Sequence, residues 1–229
     1  MIDTLANIDA DLTIAVNSVH NAYLDQFMYL FTNKYVWAPM YATILIILYK
    51  RYNFRAALLF VVAIVLTIAI TDQLCATILR PMVERLRPSH DNEQLAGMIH
   101  IVNGYRGGLY GFPSCHAANS FALVTFLSLM RRRALFIAIV VLWAIINAYS
   151  RLYLGVHFMG DLAVGAIIGT IIGTSVFVIA CKLHKMKWFA GEPQLTTTDN
   201  ATLYHSITTY DLFVFTLFFT TAIIAIIAI

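Results

Sequence analysis

The chain has 229 residues, of which 60% are hydrophobic and 12% charged, with a formal net charge of +3. A soluble domain carries about 25% charged residues and roughly 45–50% apolar ones, so too few polar groups remain here to cover a water-soluble globule. The basic residues lie between apolar runs, which fits membrane topology and not a nucleic-acid surface, and the expectation is one all-α integral membrane domain over residues 1–229.

The first residues, MIDTLANIDADLTIAV, have no basic region and carry Asp3, Asp9 and Asp11, which argues against a cleaved signal peptide. Over residues 5–22, Leu5, Ile8, Leu12, Val16 and Val19 recur at helical spacing while Asn7, Asp11, Asn17 and Ser18 fall elsewhere, with Asp9 near the apolar edge. That pattern predicts an amphipathic helix lying at the membrane interface, or the start of the bundle.

A bilayer crossing needs about 20 apolar residues. Six stretches approach that length, near residues 35–49, 56–79, 113–130, 134–153, 160–181 and 211–229, giving a six-helix transmembrane bundle. The first is short and is expected to recruit part of the Asp25–Thr32 segment. Lys50, Arg51 and Arg55 separate spans one and two, Arg131, Arg132 and Arg133 separate three and four, and Lys182, Lys185 and Lys187 follow span five. By parity these sites share one side of the membrane, which the excess of positive charge makes cytoplasmic. The 80–112 connection and the turn near 151–160 then face the exterior or periplasm of a multi-pass inner (plasma) membrane protein, and residues 183–210, with GEP and TTTDN, read as a cytoplasmic loop. The odd set Cys75, Cys115 and Cys181, scattered in apolar sequence, gives no disulfide framework.

Polar residues gather at the outer ends of the spans. Span two ends in RPMVERLRP, span three begins in GFPSCHAANS and span four runs into SRLYLGVHFMGD. Ionisable groups at membrane depth are expensive and mark a site by default. Arginines, two histidines and an aspartate at one level suggest an anion pocket with acid–base chemistry. His157 and Asp161 are four apart and share a helix face. Asp161 can accept from one ring nitrogen, fixing the tautomer and stabilising the charge that develops when the other nitrogen attacks. Continuing by fours gives Gly165, Gly169 and Gly173, a small-residue stripe for close helix packing.

These residues resemble the phosphatidic-acid-phosphatase type 2 superfamily, whose site is shared with vanadium haloperoxidases. Its signatures KxxxxxxRP, PSGH and SRxxxxxHxxxD are similar, in order and spacing, to RPMVERLRP from Arg80, PSCH from Pro113 and SRLYLGVHFMGD from Ser150. The resemblance covers roughly residues 55–182 and implies a lipid phosphatase that needs no metal or cofactor. It implies that His157 attacks phosphorus to form a phosphohistidine, that His116 is acid and then base, and that Asp161 orients His157. Arg80, Arg87 and Arg151 would hold phosphate oxygens, with Ser114 adding a hydroxyl and the backbone near Cys115 completing the cradle. The partners implied are the bilayer and a membrane lipid phosphate, with no nucleic acid.

Two positions depart from the pattern. Arg80 stands for Lys, which changes reach and donor geometry. Cys115 stands for Gly, and would be strained if the backbone there needs a positive φ. Other polar residues read more plainly: Arg85 as a snorkelling arginine at a span end, Asp72 as a buried hydrogen-bonded side chain, and His90, Asp91 and Arg106 as a solvated loop. Asn119 and Tyr149 are expected to support the site from behind. Undecaprenyl diphosphate ranks first among substrates, followed by lipid A and phosphatidylglycerophosphate. A transporter binding the anion without cleaving it is the rival from a different class, which would favour broken spans and polar groups at mid-membrane.

Overall fold

The structure is a computed structural model and describes residues 2–90, 95, 97–186 and 200–229, with side chains for all of these except 2, 3 and 200–209. Asp91, Lys187, the GEP segment and residues 196–199 of TTTDN lie outside the described residues. The chain forms α1 (Ile2–Asn17), α2 (Ala22–Phe31), α3 (Ala38–Arg51), α4 (Phe54–Gln73), a π-helical segment (Leu74–Leu79), α5 (Arg80–Val83), a 3-10 turn (Val102–Gly104), α6 (Cys115–Met130), α7 (Ala134–Tyr153), α8 (Met159–His184) and α9 (Asn200–Ile227).

Among the described residues four helical stretches are long and apolar enough to cross a membrane: Phe54–Val83, Ala134–Tyr153, Met159–His184 and Tyr210–Ile227. The other two expected spans are helices of 14 residues, α3, and 16 residues, α6. The segment before α3 does not extend it, as had been expected. Instead α2 is a separate helix, and the chain breaks at residues 32–37, where Trp37 is buried and its Nε1 donates to Phe31 O at 2.8 Å. Pro39 then opens α3 in its first turn, where its missing N–H costs nothing. The loop expected at 183–210 is also shorter than its composition suggests, because α8 runs to His184 and α9 begins at Asn200.

Helix α1 turns Thr13 and Asn17 inward. Thr13 and Asn17 are fully buried while Leu5, Ile8 and Leu12 are exposed. Asn17 fastens the helix by donating to Tyr153 O at 2.7 Å and His100 O at 3.1 Å and accepting from His100 N at 2.7 Å.

The glycine stripe does what its spacing suggested. A Cβ at Gly165 would stand 2.5 Å from Ser114 O, and one at Gly173 would stand 2.5 Å from Ala122 O. Only hydrogen at these positions lets α8 lie directly on α6, whose facing residues are Ser114, Ala118 and Ala122. The aromatic layer beside this pair includes Phe126 against Phe177 and Trp37 against Trp143.

Two ends of the bundle differ in chemistry. At one end Arg51 donates to the Tyr210 hydroxyl at 2.9 Å and the Arg131 guanidinium stacks over the same ring, so the basic connections after α3 and α6 converge there. The three sequence motifs lie at the opposite end. Pro81 brings the first of them into place. A proline clashes with the carbonyl four residues back, and the ladder widens through Leu74–Leu79 so that Arg80 N bonds Cys75 O. Glu84, at φ 51°, ends α5 and turns the chain back toward the bundle.

Candidate active site

His157 sits in the short connection between α7 and α8. Gly155, at φ 68°, makes the reversal that sends the chain from one helix into the next. The ring is fully buried. Its Nδ1 lies 3.2 Å from Asp161 Oδ2 and its Nε2 lies 2.8 Å from Arg87 Nη1. A guanidinium has only donors, so Nε2 accepts from Arg87, and Nδ1 carries the hydrogen toward the carboxylate. Burial first, then the nearby Arg87 and Arg151 guanidiniums, pull the His157 imidazole well below the ordinary histidine range. It is neutral at neutral pH, with its lone pair on Nε2.

Asp161 is held on every side. Oδ2 also accepts from Phe158 N at 3.0 Å, and Oδ1 accepts from Arg85 Nη1 at 3.0 Å. Its backbone carbonyl accepts from Ser114 N at 3.0 Å, which ties the starts of α6 and α8 together. Gly111 lies over the pair, since a Cβ there would stand 2.9 Å from Asp161 Oδ2 and 3.5 Å from His157 Nδ1.

Arg85 is not a snorkelling girdle residue. Besides Asp161 it pairs with Asp9 Oδ2 at 2.8 Å, and its guanidinium covers the Phe158 ring at 3.9 Å. The sequence did not single out this role, because nothing local links residue 85 to residue 9.

The three arginines of the motifs meet at one cavity of about 880 Å³, lined also by His116, Cys115 and Tyr105. Arg80 Nε donates to Pro113 O at 3.3 Å. Arg87 donates from Nε to Tyr110 O at 3.1 Å and from Nη1 to Val156 O at 2.8 Å. Burial, with Arg80 and Arg151 close by, brings the Arg87 guanidinium down to about 10, so it stays charged at neutral pH. Arg151 is buried and held by two partners that the sequence motifs do not include: Nη1 donates to Thr32 Oγ1 and Nη2 to the Tyr105 hydroxyl, each at 3.1 Å. Three buried or half-buried guanidiniums around one cavity form a site for a multiply charged anion. His157 does not line the cavity; Arg87 stands between them.

Ser114 is buried and acts as the N-cap of α6, its Oγ accepting from Ala117 N at 3.4 Å. Cys115 has ordinary helical backbone, so the strain considered for a residue in place of glycine does not arise. Its side chain fits into a small buried cluster with Cys75 and Ala118. Deeper in the cavity, Asn119 donates to Asp72 Oδ1 at 3.1 Å, giving Asp72 the partner that the sequence did not identify. Tyr149 makes a ring contact with Tyr153 and does not line the cavity. In the connection between α5 and α6 Arg106 bonds back to Ser89 O at 2.5 Å, and the His90 ring lies 3.4 Å from Gly107 O. Among the described residues no cluster of His, Cys, Asp or Glu could hold a metal ion.

Comparison with known proteins places this geometry in context. The sequence profile of the PAP2 superfamily matches residues 56–185. The chain is 51% identical over 183 residues to a lipid A 4'-phosphatase of Bacteroides thetaiotaomicron, covering 80% of this chain and 81% of that protein. It is 31% identical over 201 residues to a lipid A 4'-phosphatase of Porphyromonas gingivalis, covering 82% and 84%. Among solved structures it resembles LpxE of Aquifex aeolicus, with a TM-score of 0.54 and 28% identity over 76% of this chain and 94% of that one. A PAP2-type phosphatidylglycerolphosphate phosphatase of Bacillus subtilis shares the fold, with a TM-score of 0.60 and 19% identity over 80% and 90% of the two chains.

Proposed function

We propose, from the premise that this chain belongs to the PAP2 superfamily and is a lipid phosphatase of the membrane, that its substrate is lipid A and that it removes the phosphate at the 4' position. The observation that carries this is the 51% identity, over 183 residues, to a protein named for that activity. Undecaprenyl diphosphate, ranked first from the sequence, gives way to lipid A, which had stood as the alternative.

The reaction follows from the site. Arg80, Arg87 and Arg151 bind the phosphate oxygens in the cavity and neutralise the charge that grows in the transition state. His157 attacks phosphorus through Nε2 while Asp161 steadies the proton on Nδ1. The bond from phosphorus to the sugar oxygen breaks, and that oxygen takes a proton from His116, which takes up that proton as the phosphate anion enters the cavity and offsets the surrounding arginines. Water then attacks the phosphohistidine, giving its proton to His116 and releasing inorganic phosphate, which restores neutral His157. Ser114 contributes by fixing the start of α6, so that the amides near Cys115 face the anion.

The protein acts in the inner membrane with the site at the outer face, as the convergence of the basic connections at the opposite end supports. Helices α3 and α6, at 14 and 16 residues, complete six spans. Each reaches about 21–24 Å, short of a ~30 Å hydrocarbon core, and the missing length is made up by polypeptide packed inside the protein. Helix α1 lies along the interface.

The test is turnover by purified protein on lipid A, undecaprenyl diphosphate and phosphatidylglycerophosphate side by side, read as released phosphate. Lipid A is expected to give the highest kcat/KM, and His157→Ala to release none. Faster release from undecaprenyl diphosphate overturns the substrate assignment.

A further inference from the structure

Helix α1 lies outside the region that the family profile covers, yet it reaches the site. Asp9 Oδ2 pairs with Arg85 Nη2 at 2.8 Å, and Asp9 Oδ1 accepts from Gly160 N at 2.8 Å. Arg85 in turn holds Asp161, and Asp161 holds His157. Both residues that grip Asp9 occupy positions that the family motifs leave unspecified. Gly160 is fitted to the contact: a Cβ there would stand 2.7 Å from Asp9 Oδ2, too close for any other residue without a shift.

The charges give this chain of contacts a purpose. Arg85 alone would draw the Asp161 carboxylate to itself and cancel its charge, leaving His157 beside Arg87, Arg80 and Arg151 with no net negative group. With Asp9 present, two carboxylates share one guanidinium, and one negative charge remains on the side of His157 away from the phosphate. That charge favours the imidazolium character that develops at His157 as Nε2 bonds phosphorus, in a buried setting where screening is weak. Asp161 is fully buried and the Asp9 side chain is only 16% exposed, so the relay is largely shielded from water.

We infer that Asp9 is a positioning residue for the phosphatase reaction, acting through Arg85 and the start of α8 to keep Asp161 aligned on His157 and to leave one net negative charge in the cluster behind it. This rests on His157 being the nucleophile. Asp9 touches neither substrate nor the reacting atoms, so its removal is expressed in kcat and not in KM.

The experiment compares wild type, Asp9→Asn, Thr13→Val and His157→Ala in detergent micelles, with lipid A as substrate and released phosphate as the signal. Asp9→Asn keeps the shape and an acceptor for Gly160 N but removes the charge. It is expected to lower kcat about tenfold, the scale of one pKa unit of lost interaction, with KM within twofold of wild type. Thr13→Val loosens the same helix, where Thr13 Oγ1 accepts from Met159 N at 3.4 Å, without touching the charges, and is expected to keep kcat within twofold. Asp9→Asn with wild-type kcat, or Thr13→Val losing as much as Asp9→Asn, overturns the inference while His157→Ala is inactive. Activity in His157→Ala overturns the nucleophile assignment, and the inference with it.

Discussion

Arg87 donates from Nη1 to His157 Nε2 at 2.8 Å, so the lone pair of the proposed nucleophile is occupied by one of the groups proposed to bind the phosphate. The two functions exclude each other at that nitrogen. A phosphate oxygen arriving in the cavity must draw the guanidinium off Nε2, and the same event exposes the lone pair to phosphorus. In the proposed mechanism, binding and activation of the nucleophile are thereby one motion of a single side chain.

Arg87→Lys keeps the charge but not the fork that reaches Tyr110 O, Val156 O and Nε2 together. It is expected to lower kcat/KM on lipid A by roughly 100-fold, in the range for loss of a transition-state donor. Arg87→Ala should lose more. Steady-state kinetics on the two variants, with vanadate inhibition as the check on anion binding, measures both.

Acid sensitivity follows from His157. Its folded pKa lies well below the ordinary value, because burial and the nearby Arg87 and Arg151 disfavour the charged ring. The unfolded chain binds this proton at about pH 6.5 and the folded one does not. The stability it contributes is therefore complete above that pH and declines as pH falls below it toward the folded value. Thermal unfolding in detergent should show Tm dropping below pH about 6.5, with a smaller slope in His157→Asn. The acid limb of kcat/KM should likewise lie below the ordinary histidine range.

Alanine at Gly165 or Gly173 should destabilise the bundle, although alanine is normally the better helix former by about 1 kcal/mol. The added methyl meets the Ser114 or Ala122 carbonyl at 2.5 Å and forces α6 and α8 apart. Gly165→Ala lies next to the N-cap of α6 and is expected to lower both Tm and kcat. Gly173→Ala, two turns deeper, is expected to lower Tm with the smaller effect on turnover. Circular dichroism melts and phosphate release distinguish them.

Cys115→Gly restores the residue usual in the family motif. The thiol packs against Cys75 and Ala118 in ordinary helical backbone, so its loss leaves a small gap and a more flexible first turn. Tm is expected to fall by a few degrees while kcat on lipid A stays within about threefold, the loss being of order 1 kcal/mol.

Orientation can be read with a membrane-impermeant thiol reagent on intact cells, in a Cys181→Ser background that leaves only the buried Cys75 and Cys115. A cysteine at the exposed Met98 should be labelled from outside, and one at the exposed Arg132 should not. The reverse pattern places the site on the cytoplasmic face.

Much of this molecule is written locally. The apolar runs and the pairing of His157 with Asp161 four residues on are local features: four of the six expected spans reappear among the described residues as helices long enough to cross a membrane, and His157, just before α8 and not on its face, meets the Asp161 carboxylate. The glycine stripe was legible for the same reason, since four-residue spacing fixes a face before any partner is known. Helix ends were less so: α2 separates from α3, and α9 starts within what composition presents as a loop. Arg85 and Asp9 were beyond reach of the sequence. They are 76 residues apart and each looks ordinary among its neighbours, Arg85 as a charge at a span end and Asp9 as a polar intruder on an apolar helix. Only the docking of α1 onto the start of α8 brings them together. What the sequence by itself determined is the set of side chains proposed for the chemistry, because each motif is one short continuous segment. What the tertiary structure decided is which charges surround the nucleophile, because that depends on contacts between segments with no sequence relation to one another.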